Sequence, residues 1–180
     1  LAKAKPGQLN FSSAGIGSGT HFAGEMLKQS ARIDVVHVPY KGIPESLTDV
    51  ISGRVQFTMA PIASSLTLVK EGRLRALGVS SKERSGIYPD LPTIAESGLP
   101  GFDWNSWGGL LVPAKTPRAI VNKLHREIVR VLGLPDVQQR LRAMGAEAAP
   151  SSTPEQFDQF LVRQIGLVRQ LARAAGIEPQ

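Results

Sequence analysis

Seven consecutive residues near the amino terminus, Gly15-Ile16-Gly17-Ser18-Gly19-Thr20-His21, carry the strongest chemical signal in the chain. They fall between an expected strand, Leu9–Ser13, and an expected helix. Such a turn aims several unpaired amides at one point, with the positive end of the helix dipole behind them. Glycines let a ligand approach the backbone closely. Ser18 and Thr20 add hydroxyl donors. The expected result is a small anion cradle. The plainer alternative is a turn made by glycines, in which Ser18 or Thr20 only caps the helix. Two nucleotide-binding readings fit poorly. A dinucleotide fingerprint needs a third glycine where Thr20 stands and an acid at the end of the second strand, but Asp34 is near that strand's start. A P-loop needs Gly-Lys-Ser/Thr, and no lysine follows the run before Lys28.

Two further loops belong to the same expected sheet edge. Pro39-Tyr40-Lys41-Gly42 follows the second strand, and ligands of open α/β sheets bind at the carboxyl ends of strands. Tyr40 offers a ring and a hydroxyl, and Lys41 a charge; the alternative is a plain turn with a solvated lysine. Ala60-Pro61-Ile62-Ala63-Ser64 shares the edge but carries little polar chemistry. The histidines build no active site. His21 lies in a first helical turn, His37 reads as a packed, hydrogen-bonded strand residue, and His125 is mid-helix. Their spacing suggests no metal, and no Gly-x-Ser-x-Gly elbow occurs. The chain has no cysteine, which excludes disulfides and thiol catalysis. No catalytic residue, metal or cofactor is expected. Trp104 and Trp107 either line a cleft or pack at a lobe junction.

The elements that must position these loops alternate. Strands are expected at Leu9–Ser13, Ile33–Val38, Val55–Met59 and Leu74–Val79. Helices are expected from Thr20 to about Ser30, from Pro44 to Gly53 and from Ser64 to Glu71. This rhythm predicts an α/β domain with a mostly parallel sheet. Residues 85–104 read as an ordered loop with one short helix near Ile94–Glu96, and Trp107–Val112 reads as a strand. Thr116-Pro117 caps a helix that places Ile120, Val121, Leu124, Ile128, Val131 and Leu132 on one face. A shorter helix begins at Asp136. Thr153-Pro-Glu-Gln156 is a capping box opening a last helix, which is expected to bury Phe157, Phe160, Leu161, Ile165, Val168 and Leu171.

At 180 residues, with 42% hydrophobic and 20% charged residues, the chain is one domain or two small lobes, not a disordered chain. No stretch approaches the ~18 apolar residues of a membrane span. The net charge of +6 suggests an anionic partner. The arginines between 115 and 175 alternate with apolar residues at helical spacing. They read as solvated helix faces, so no nucleic-acid partner is expected. The opening Leu1-Ala-Lys-Ala-Lys lacks the apolar core of a signal peptide. It resembles the tail of a helix stopped by Pro6-Gly7, so a segment upstream is expected.

Several segments taken together resemble the Bug family, the extracytoplasmic solute-binding receptors of tripartite tricarboxylate transporters. These are Lys5-Pro-Gly-Gln-Leu-Asn-Phe11, Ser13-Ala-Gly-Ile-Gly-Ser-Gly-Thr-His-Phe22, Val36-His-Val-Pro-Tyr-Lys-Gly42, Gly72-Arg-Leu-Arg-Ala-Leu77, Leu91-Pro-Thr-Ile-Ala-Glu-Ser-Gly-Leu-Pro-Gly101, Trp107-Gly-Gly-Leu110, Val112-Pro-Ala-Lys-Thr-Pro117 and Ala174-Ala-Gly-Ile177. The resemblance implies an α/β, type II periplasmic-binding-protein-like fold with two lobes closing on a carboxylate. Here one lobe would be complete, at 8–104, and 105–180 would be the returning part of the other. It further implies a periplasmic location, a membrane permease as partner and no enzymatic activity. Gly17, Ser18, Gly19, Thr20 and His21 match the family's Gly-Ser-Ser-x-His loop, with Gly19 in place of the usual serine. With Gly15 beside them, they make the ligand loop. Tyr40, Lys41 and Gly42 match fully. Ala60 stands where many members have Asp, which disfavours an amino-acid ligand. The incomplete lobe would leave Leu124/Ile128 and Phe157/Leu161 needing cover, so the expectation is a homodimer or an exchange of elements with a second copy, the alternative being a chain adapted to a single lobe. Two other classes share parts of the pattern: the effector-sensing domain of a LysR-type regulator, and a serine hydrolase using Ser18 and His21.

Overall fold

The computed structural model describes residues 1–151 and 153–177. A short 3-10 turn, Ala2–Ala4, precedes the sheet. Its central strand β1 is Asn10–Ser13, of which Phe11, Ser12 and Ser13 are fully buried. Strands β2 (Val36–Pro39) and β3 (Phe57–Thr58) flank it, both parallel, in the order β2-β1-β3. Helix α1 (Gly19–Ala31) links β1 to β2, α2 (Ile43–Ile51) links β2 to β3, and α3 (Ile62–Lys70) follows β3.

Successive strand residues point to opposite faces, and β1 uses both. On the Phe11 face, α1 comes so near that a Cβ on Gly24 would lie 2.1 Å from the Phe11 ring. On the Ser12 face, Ser46 of α2 donates its hydroxyl to Ser12 Oγ at 2.7 Å. The two crossover helices therefore cover opposite faces, the doubly wound arrangement. Parallel pairing sets Phe11 opposite both His37 and Phe57. The three rings form a row, with centroids 4.8 Å and 5.8 Å apart, near the ~4.8 Å strand spacing.

Three expected elements differ. Leu74–Val79 forms no strand; it makes one isolated bridge, Val79 to Thr93. Trp107–Val112 joins no ladder, and its Leu110 and Leu111 are exposed. A β-rich run becomes a strand only when a neighbour takes its backbone groups along its length; in Leu74–Val79 only the ends are taken, Leu74 N–H by Leu68 O and Val79 by Pro92 and Ile94. The helix near Ile94–Glu96 is a single turn. Thr93 and Glu96 exchange the two bonds of a capping box, but Leu99 N–H already returns to Ile94 O across Gly98, which stops propagation.

The chain divides into two compact units, Leu1–Ser106 with the end from Gln170, and Trp107–Arg169. In the second, α4 is Arg118–Leu132, α5 Pro135–Ala143 and α6 begins at Pro154, running to Ala174. Pro117, not Thr116, is the cap of α4. The Thr153 hydroxyl accepts the Gln156 amide at 3.2 Å, the expected cap of α6. Trp107 meets Phe157 and Phe160 edge-on, and Arg118 pairs with Glu155. Yet no described residue between Asn105 and Gln170 is buried. Of the apolar residues expected to be buried on α6, only Leu171 is, while Ile165 is half exposed. An amphipathic helix buries its stripe only against another layer, and this unit supplies none that encloses it.

Candidate functional site

The loops after β1, β2 and β3 all leave the carboxyl edge of the sheet. Helices α1 and α2 depart from the first two of these loops to opposite faces of the sheet. These two loops touch: the Tyr40 amide donates to Ser13 O at 3.1 Å. Gly15, at φ 125, passes so near Tyr40 that a Cβ would lie 3.1 Å from its carbonyl oxygen. A side chain at 15 would meet both the strained backbone and that carbonyl.

Ser18 is the N-cap of α1 and accepts the His21 amide at 3.2 Å. Its own proton goes to Gly15 O at 2.7 Å. Thr20 Oγ1 accepts the Ala14 amide at 2.9 Å and lies 3.0 Å from Ser18 Oγ, to which it donates. Both hydroxyls are thus spent within the loop, on its shape. The donors that remain are backbone. No hydrogen bond among the described residues takes up the N–H of Gly19 or Thr20. These are the first two helical amides, which have no intrahelical acceptor. The first turn of α1 carries no acidic residue. At α2 the corresponding position is filled, since Glu45 folds back over the Gly42 cap, its Oε2 3.0 Å from where a Gly42 Cβ would stand.

Tyr40 faces away from such a role through its hydroxyl, which donates to Asp49 Oδ2 at 2.6 Å. That bond raises the tyrosine pKa and lowers that of Asp49, which Arg54 also holds. Lys41 is exposed, and no described group pairs with it. Ala60 lies half-buried just before Pro61, the cap of α3. Ser18 and His21 form no nucleophile–base pair: the imidazole Nδ1 accepts the Gly17 amide at 3.1 Å instead.

The histidines hold what the sequence reading missed. His21 and His37 stack at 3.8 Å between centroids, tilted by 12°. His37 Nε2 lies 2.7 Å from Ser13 Oγ, which also accepts the Gly15 amide at 3.1 Å. The available signal was register: pairing β2 to β1 sets His37 beside Phe11, beneath the first turns of α1. Burial lowers both imidazoles; for His37, with His21 and Lys28 adding to it, the pKa falls to about 4. The folded state therefore prefers neutral rings, and the unfolded chain binds more protons below its ordinary value of 6.5. The stabilising contribution of His37 is whole above 6.5 and lost as pH falls toward about 4. Urea midpoints should therefore drop between pH 7.5 and 4.5, and drop less in His37→Phe; an equal drop in both would contradict neutral burial of His37.

A family model described as the tripartite tricarboxylate transporter family receptor matches residues 1–177. The chain belongs to that family. A UPF0065 protein in the tcbD-tcbE intergenic region of Pseudomonas sp. (strain P51) is 38% identical over 160 residues, covering 88% of this chain and 48% of the relative. The structure of R. palustris Rpa4515 with adipate superimposes at a TM-score of 0.86 with 32% identity, over 99% of this chain and 60% of that one. MatC from Rhodopseudomonas palustris with bound malate gives 0.75 and 28%, over 94% and 58%. The α/β periplasmic-binding fold expected from the resemblance is thereby shown. The chain spans about half the length of the Pseudomonas relative.

Proposed function

We propose that this chain is the ligand-holding part of a periplasmic receptor that captures a small carboxylate and passes it to a membrane permease, without catalysis. The observation that carries this reading is the pair of unclaimed amides, Gly19 and Thr20, at a helix end with no acid in its first turn. A carboxylate oxygen there gains two backbone donors and the helix dipole. Gly15, Gly17, Ser18 and His21 shape the loop. Lys41 adds positive charge from the next one, while Tyr40, Gly42 and Ala60 line the adjoining turns. Relatives solved with adipate and malate support the ligand class. In this reading residues 8–104 form one lobe and 105–180 return into the other. The exposed faces of α4 and α6 then fit pairing with a second copy.

Gly19→Pro is the decisive variant. Proline is favoured at the first helical position, where its missing N–H breaks no bond. Ser18, at φ −71 and ψ 159, already has the backbone that a following proline requires. The substitution thus deletes one ligand donor and leaves the fold intact. With adipate, malate or citrate at ~100 times the dissociation constant, the native protein gains about 2.7 kcal/mol, hence several degrees of melting temperature. Gly19→Pro should keep the ligand-free melting temperature and lose most of that rise. An undiminished rise would place the carboxylate elsewhere, and no rise with any of the three would overturn the reading for this chain.

A further inference from the structure

We propose that His21 is a positioning residue for the anion loop: its bare Nδ1 latches the Gly17 amide while the His37–Ser13 pair props Gly15, which keeps the Gly19 and Thr20 amides aligned. The role in binding rests on the carboxylate reading above; the latch itself does not.

Two stacked rings hold the two ends of one short span. His21 takes Gly17 at 3.1 Å, and His37 acts on Gly15 through Ser13, at 2.7 Å and then 3.1 Å. Gly15 and Gly17 have φ of 125 and 76, so they are the joints about which the span can turn. Between them Ile16 is largely exposed, and burial of its side chain does not fix the span. The latch itself is rigid, because His21 is only 4% exposed and is sandwiched against His37.

The latch also fixes a tautomer. An Nδ1 that accepts an N–H must carry no proton, so the ring proton is on Nε2. That side faces Glu25 Oε1 at 4.0 Å, and Glu25 is in turn paired with Lys28 at 3.3 Å. The charged and titratable groups around the ring are therefore Glu25 and Lys28 from α1 and His37 from β2; Phe11 of β1 contributes only an apolar ring. A second proton must go to Nδ1, where it turns acceptor into donor and opposes the Gly17 amide. Acid then releases the span.

Two variants of the full chain separate this from mere packing. His21→Asn puts a carboxamide oxygen where Nδ1 stands and does not titrate. His21→Phe keeps the ring and loses the acceptor. Hydrogen-exchange protection of the Gly17 amide is read by NMR at pH 7.5 and 5, with adipate affinity measured alongside. The native chain should protect Gly17 at pH 7.5 and lose about tenfold at pH 5, the asparagine variant should protect it at both, and the phenylalanine variant at neither. Adipate should bind about tenfold more weakly to the phenylalanine variant at pH 7.5. Protonation of adipate itself is common to all three proteins. Equal Gly17 protection in all three at pH 7.5 overturns the latch. If the phenylalanine variant does not fold, the asparagine variant decides: an acid loss equal to the native chain's overturns it. Gly17 protection that follows His21 while adipate binds none of the proteins leaves the latch standing and removes the carboxylate reading.

Discussion

Gly24→Ala should destabilise the first unit by about 2 kcal/mol, although the same change in an open helix stabilises. Alanine in a helix interior gains about 1 kcal/mol over glycine. At position 24 the added Cβ would stand 2.1 Å from Phe11 Cε2, and 2.6 Å and 2.9 Å from two more ring carbons. Overpacking of this kind costs about 1–3 kcal/mol where neighbours cannot yield. Phe11 cannot yield, because it is wholly buried and His37 and Phe57 flank it in register. The steric term sits at the top of its range and wins. Gly166→Ala in α6 is the matched control, since nothing lies within 4 Å of its Cβ position. Urea unfolding should move the two variants in opposite directions. A Gly24→Ala chain as stable as the native one would show that α1 stands off the sheet.

The second large effect concerns Trp107–Arg169. Amides of β1 and α1 should exchange with solvent at least about a hundredfold more slowly than those of α4 and α5 in dilute solution. Isolated helices of this length are marginal without a packed face. Here Ile120 and Ile165 are each half exposed, and no described residue between Asn105 and Gln170 is buried. Raising the protein concentration should slow exchange in α4 and α6, as a second copy covers their apolar faces. If these helices are protected like β1 in a dilute monomer, the burial argument is wrong. If their exchange does not change with concentration and light scattering finds monomer alone, the pairing proposal falls.

What the sequence made legible is what local chemistry decides. The alternation from β1 through α3 was readable because β-branched runs, a serine cap and glycine stops each act within a few residues. Gly53, Gly72 and Gly176 follow their helices in the left-handed region. Leu74–Val79 and Trp107–Val112 misled because strand formation depends on a partner, and composition cannot reveal whether one is near. At the loop, the glycines and the helix start were legible, whereas the roles of the hydroxyls were not. Ser18 and Thr20 look equally able to serve a ligand or a neighbouring backbone group. Which wins depends on the path of Ala14 and Gly15. The histidine stack was illegible for another reason: it exists only once β2 is set beside β1 in one particular register.

The two tryptophans, three residues apart, sit in unlike surroundings. Trp104 is 9% exposed beside Phe22 in the first unit, whereas Trp107 is 46% exposed among the phenylalanines of the second. They are the only two in the chain. Its ultraviolet emission is therefore a sum of two colours, a blue component from an indole shielded from water and a redder one from an indole that water and iodide reach. Each compact unit carries its own native chromophore, so melting of one can be followed without labelling the other.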